Sequence, residues 1–184
     1  MLKREIRQLL HEAAQQWKIA SVFMKYNENY YNLIPIEISE RLFLSINEDD
    51  FILDGFRISQ IRDITALRLK NDKCDEIVRK EGLFNCLNIP AIKIDSWYTV
   101  FKCFQGIEKN IIVEYETPEG VNDNYTIGKI ARVHKNCMYM YCFDAAGIWT
   151  LKPYRIPYTE ITSVTFASRY VDIFSKYIEP TPVV

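Results

Sequence analysis

The chain carries few side chains that could do chemistry at neutral pH: two histidines, His11 and His134, and five cysteines, Cys74, Cys86, Cys103, Cys137 and Cys142. The run "HEAAQ" begins at His11 like a zinc-protease helix, but Gln15 stands where the second histidine ligand would have to be. His134, Cys137 and Asp144 lie close enough in sequence to suggest a thiol nucleophile with its base. If Val133–Cys142 is a hairpin turning at "HKN", however, His134 sits at the turn while Cys137 enters a buried strand. A buried cysteine behaves as a small hydrophobe. Cys137 and Cys142, five residues apart, fall on opposite faces of a strand, and two further metal ligands are missing. No glycine-rich phosphate loop occurs, and the carboxylates are scattered through turns. The sequence therefore predicts no catalytic residue, no metal, no cofactor and no enzyme. The odd cysteine count without a C-x-x-C pair predicts reduced, mostly buried thiols in a cytoplasmic protein.

The elements that must position these residues follow from composition and periodicity. Twelve Tyr and ten Phe against six Gly in 184 residues favour strands over disorder. The net charge is −1, and residues 1–92 (13 basic, 14 acidic) and 93–184 (10 of each) are both near neutral. Neither half has the cationic excess of a general nucleic-acid binder. No apolar run approaches the roughly 18 residues of a membrane span, so no membrane partner is expected. Charges interrupt the apolar pattern of residues 1–17, which does not read as a secretory signal.

The pattern is written twice. Ile6, Leu9, Leu10, Ala13 and Trp17 share one helical face. Five short strands follow, in Ile19–Asn27, in "YYNLIPIEIS", in "RLFLSIN", in Gly55–Ile61 and in Ile64–Leu69, and a helix Lys73–Lys80 closes the set. After "NCLNIPAIKID" the order restarts. Ser96 caps a helix whose face is Trp97, Val100, Phe101 and Phe104, and "NIIVEY" (Asn110–Tyr115) aligns with "SVFMKY" (Ser21–Tyr26). Loop 116–124, the strands "TIGKIARVH" and "CMYMYCF", a turn at "DAAG", then "WTLKPYRIPY" and "ITSVTF" lead to a closing helix Arg169–Ile178, whose inner face is predicted as Tyr170, Ile173, Phe174 and Tyr177. A repeat this long is a domain duplication. The expected division is 1–85, a linker 86–95, and 96–184. The expected fold is mainly β with flanking helices (α+β): two tandem five-stranded small barrels, each with an N-terminal and a C-terminal helix, since closure removes strand edges.

This layout resembles the Sm-like (LSm, Hfq) small barrel. "DGFRISQIRDITAL" and "YRIPYTEITSV" are also similar to the fourth and fifth strands of a small-barrel family common in Gram-positive bacteria; Asp63, Ile64, Cys74 and Ile77, then Glu160, Ile161, Tyr170 and Ile173, carry its closing pattern. WYL-type regulatory domains have a similar barrel. The resemblance implies a bacterial RNA-binding or regulatory module. The Asp-x-Met-Asn and Arg-Gly loops of Sm proteins have no counterpart here: Asn27, Glu28 and Asn29 fill the first loop, and no Arg-Gly pair occurs.

Two surfaces then stand out. On "CMYMYCF", Met138, Met140 and Cys142 make one face apolar and Cys137, Tyr139, Tyr141 and Phe143 the other. A strand apolar on both sides predicts a second buried surface, either one repeat against the other or chain against chain; in the second case Met138, Met140 and Cys142 are the expected contact with an unknown protein partner or with a second copy in a homodimer. Tyr30, Tyr31, Tyr125 and Tyr158, near strand ends, are the candidate stacking platform for bases. The leading expectation is a non-enzymatic scaffold acting through protein contacts. The alternatives are an RNA-binding regulator and a ligand sensor or enzyme using a cleft between the repeats.

Overall fold

Helix α1 (Lys3–Gln16) forms where the 3.6-residue pattern places it, and buries Ile6, Leu10 and Ala13. It stops at Trp17, which takes a left-handed conformation (φ 52). In the computed structural model, which describes residues 1–107, 109–116 and 125–179, the chain divides into two compact units, Met1–Ala91 and Ile92–Val184.

In the first unit α1 is followed by β1 (Ala20–Met24), β2 (Tyr30–Ile38), β3 (Leu42–Asp49), β4 (Ile52–Gln60), a 3-10 turn at Ile61–Asp63, β5 (Ile64–Leu69) and α2 (Lys73–Lys80). The strands pair antiparallel in the order β5-β1-β2-β3-β4. Val22 lies opposite Leu67 and Tyr31. This register places Ala20, Val22, Leu33, Phe43 and Leu67 in one core with Ile6, Leu10 and Ala13 of α1. Ile34, Leu44, Ile46 and Ile58, on the other side of the pleat, are buried too. Burial on both sides explains the near-continuous apolar runs of β2 to β4.

Helix α2 is tied back to α1 by its polar side chains. Asp72 caps it, accepting from the backbone N–H of Cys74 and Asp75. Asp75, 9% exposed, accepts from the Ile19 N–H at 3.1 Å and pairs with Arg79 Nε at 3.1 Å. Arg79 Nη2 donates to the carbonyls of Gln16 and Trp17, both at 2.8 Å. The last carbonyls of α1, which no backbone N–H can reach, thus meet a fixed cation.

The second unit repeats the order: α3 (Trp97–Ile107), β6 (Ile111–Tyr115), β7 (Tyr125–Val133), β8 (Cys137–Cys142), β9 (Tyr154–Pro157), β10 (Ile161–Phe166) and α4 (Arg169–Phe174). Its strands run β10-β6-β7-β8-β9, again antiparallel. Helix α3 buries Trp97, Val100, Phe101 and Phe104. Gly128 leaves no room for a side chain: a Cβ there would lie 1.9 Å from the Tyr141 carbonyl oxygen.

Two expectations are corrected here. The strands form open antiparallel sheet and not two closed five-stranded Sm-like barrels. In each unit the fourth and fifth strands end up at opposite ends of the order, and no ladder joins them among the described residues. Alternation reports which face of a strand is buried; it carries no information on whether the outermost strands meet. The closing helix is also rotated from its expected face. Val171, with Phe174 and Ile178, packs on Ile112, Ile127 and Phe143. Tyr170 (51% exposed), Ile173 (42%) and Tyr177 (84%) point outward. Helix α4 is only six residues long, and Ser168, accepting from the Val171 N–H, fixes where it starts. The long loop 116–124 falls almost wholly outside the described residues.

Candidate interaction surface

The strand singled out from sequence, β8, is where a surface emerges, but on the opposite face. Met138 and Met140 are fully buried and Cys142 nearly so, within this one chain. Cys142 lies against Thr126, and burial pushes its thiol up from 9.0 to about 11. These three side chains are core and present nothing outward. Tyr139 and Tyr141, between them in sequence, are half-exposed.

Cations reach those rings through the register. Lys129 of β7 lies opposite Tyr141, and Arg132 lies opposite Tyr139. Lys129 and Arg132 are three residues apart, an odd spacing that would put them on opposite faces of a regular strand. An irregularity between Ile130 and Arg132 inserts one residue and returns Arg132 to the same face. On the other side Arg155 of β9 is also opposite Tyr139. Tyr139 is thus flanked by Arg132 and Arg155 across strands spaced about 4.8 Å apart. His134, in the β7–β8 turn, packs edge-on against Tyr139 at 5.5 Å between ring centres. Arg132, His134 and Arg155 are exposed. Arg132 and Arg155 form no ion pair among the described residues.

Residues 125–143 hold Lys129, Arg132, His134 and Lys135 and no carboxylate; residues 151–158 add Lys152 and Arg155, again without one. In a chain of net charge −1, this is a local cationic field that the totals conceal. At the far end of the face Glu114, opposite Tyr125 and accepting from the Ser163 hydroxyl, closes the cationic stretch.

The four tyrosines expected to form a stacking platform are divided between the units, Tyr30 and Tyr31 in the first and Tyr125 and Tyr158 in the second. Tyr30 is exposed and packs on Phe23 at 5.3 Å. Tyr31, its neighbour in sequence, carries the Arg57 guanidinium over its ring at 4.2 Å and accepts from Asn27 Nδ2. Tyr125 is exposed in the second unit, where partial burial, Tyr170 and Glu114 push its phenol up to about 12. Tyr158 is a structural ring: it stacks on Phe101 at 5.6 Å and donates to the His134 carbonyl at 2.8 Å. Tyr139 and Tyr141 were missed. The signal that could have found them is the carboxylate-free run 125–143, masked by averaging charge over a whole half.

His11 is exposed on α1 and Cys137 is buried. No group of three or more His, Cys, Asp or Glu side chains comes together among the described residues. No helix among them is long and apolar enough to cross a membrane. Comparison of the chain with protein-family models, curated proteins and solved structures yields no match.

Proposed function

We propose that the protein is a non-enzymatic binding module whose β7–β8–β9 face holds a single strand of nucleic acid. One observation carries this reading: Tyr139 and Tyr141 are interleaved with Lys129, Arg132 and Arg155, within segments 125–143 and 151–158 that contain no carboxylate. Bases of any identity can stack on tyrosine, each worth about 1–3 kcal/mol, while the cations neutralise phosphates. Tyr139 and Tyr141 are two residues apart on one strand, about 6.8 Å, so adjacent rings can serve successive bases. A labelled oligonucleotide of mixed sequence, followed by fluorescence anisotropy, tests it. Binding at about 50 mM salt should weaken steeply with added salt, with a log–log slope near −0.7 per phosphate contacted. Arg132→Glu with Arg155→Glu should lower affinity at least tenfold, and Tyr139→Ala should lower it with little change in slope. No binding at low salt removes the reading.

A second reading, a protein partner, is favoured by Tyr170 and Ile173, exposed at a three-residue spacing on α4, and by Tyr177, exposed just beyond its end. Replacing all three by Ser should abolish capture of such a partner and leave oligonucleotide binding unchanged.

A further inference from the structure

The β3–β4 hairpin of the first unit reads "EDDFILD" from Glu48 to Asp54: four carboxylates, three large apolar side chains and no cation. Asp49 pairs with Ile52, so Asp50 and Phe51 form a two-residue turn. Both have positive φ, 44 and 70. Such a turn favours Asn-Gly, and a phenylalanine in the second place is strained. The strain is held by Glu48, 6% exposed, whose Oε1 accepts from the Phe51 N–H at 3.0 Å; its Oε2 meets no hydrogen-bond donor. The result is a tip with Phe51 40% and Ile52 61% exposed, flanked by the exposed Asp49 and Asp50 and underlain by the buried Glu48 side chain.

This tip is the chemical complement of the β7–β8–β9 face. One has carboxylates and no cation; the other has cations and no carboxylate; both offer apolar or aromatic contact area. Phe51 and Ile52 are exposed, and Arg132 and Arg155 form no ion pair among the described residues. The acidic tip is repelled by phosphate, which argues against nucleic acid or an anionic lipid surface as its own occupant. We propose that the β3–β4 tip docks on the β7–β8–β9 face of a second copy of this chain, with Phe51 and Ile52 against Tyr139 and Tyr141, and Asp49 and Asp50 against Arg132 and Arg155. The contact joins two different surfaces, so it is head-to-tail, and each copy added leaves one tip and one face open unless a ring closes. It occupies the face assigned above to nucleic acid, so self-association and oligonucleotide binding exclude one another. The competition rests on that reading; the docking itself does not.

Sedimentation of the full chain tests this. At about 50 mM salt the average mass should rise above the 21.7 kDa monomer with concentration, and at about 500 mM salt, where charges are screened within a few ångströms, it should return to the monomer. Phe51→Gly removes the anchor while giving the turn a residue at ease with positive φ. It should abolish association without lowering the melting temperature. Asp49→Lys with Asp50→Lys, and Arg132→Glu with Arg155→Glu, should each be monomeric alone and associate when mixed. A monomer at every concentration at low salt overturns the proposal, as does association that Phe51→Gly and both reversals leave unchanged. Added oligonucleotide should dissolve the assembly. Association without any oligonucleotide binding upholds the docking and removes only the nucleic-acid reading.

Discussion

Asp75 shows how one carboxylate can hold two helices and a strand start together. Asp75→Ala leaves the Ile19 N–H without its acceptor and Arg79 Nε without its carboxylate, the two carbonyl contacts of Nη2 remaining. A stranded buried donor costs about 1–3 kcal/mol, which should appear as a lower urea midpoint with unchanged slope. Glu76 on the same helix, paired with Lys73 and Lys80 in open solvent, should be replaceable by Gln without a measurable shift. Cys142 makes a prediction about pH. Its folded-state pKa lies above the ordinary value, so the native state holds the proton more tightly than the unfolded chain does. The associated stability is whole below pH 9 and is lost as pH rises through about 11. Tyr125 acts in the same sense between its ordinary 10 and about 12. Chemical denaturation midpoints should therefore be lower at pH 11 than at pH 8. At pH 8 a thiol reagent should modify the half-exposed Cys74 and Cys103 while Cys142 stays protected.

At the scale of strands and helices, two glycines make opposite predictions. Gly128→Ala would push a methyl group into the Tyr141 carbonyl and should cost about 3 kcal/mol or more. Gly106, in α3 with nothing within 4 Å of where a Cβ would stand, should gain roughly 0.5–1 kcal/mol from the same change. Thermal melts of the two variants, shifting in opposite directions, check both. The strands of the first unit were legible because each keeps a clean apolar pattern and ends at a polar turn: "RLFLSIN" is the body of β3 and "ITALRL" is β5. Three features were hidden by the same physics. The irregularity at Ile130–Arg132 moves a cation from one face to the other, and alternation cannot register an inserted residue. The apolar periodicity of Tyr170, Ile173, Phe174 and Tyr177 suggested an inner face, yet α4 is anchored by Val171, which shares that run with larger outward rings. Met138 and Met140 were correctly seen as apolar, but apolarity does not say whether the covering surface belongs to the same chain.

At the scale of the whole chain, the duplication was legible from two stretches of similar pattern, and it recurs as the same order of helix, five strands and helix. The segment expected as a linker is less free than its composition suggests: Ile92 and Ile94 are 4% and 1% exposed, with Lys93 and Asp95 outward between and after them. Ile94→Ala should therefore cost about 2 kcal/mol or more, as truncation in a core does, measurable by denaturant unfolding. What charge totals obscured is the division of labour between "EDDFILD" and the carboxylate-free run 125–143, which cancel in any sum over the chain. The strand order has a further consequence, for synthesis. Strand β1 must wait for β5 before its second edge is paired: Val22 meets Leu67, 45 positions later. At roughly 5–20 residues per second, the first helix, which ends at Gln16, waits about 3 to 10 s for Leu67 to reach its apolar face. The second unit imposes a similar delay, since Val113 waits for Val164. Each half of the nascent chain thus spends seconds with its helix face incompletely covered, an interval in which a holding chaperone has its target.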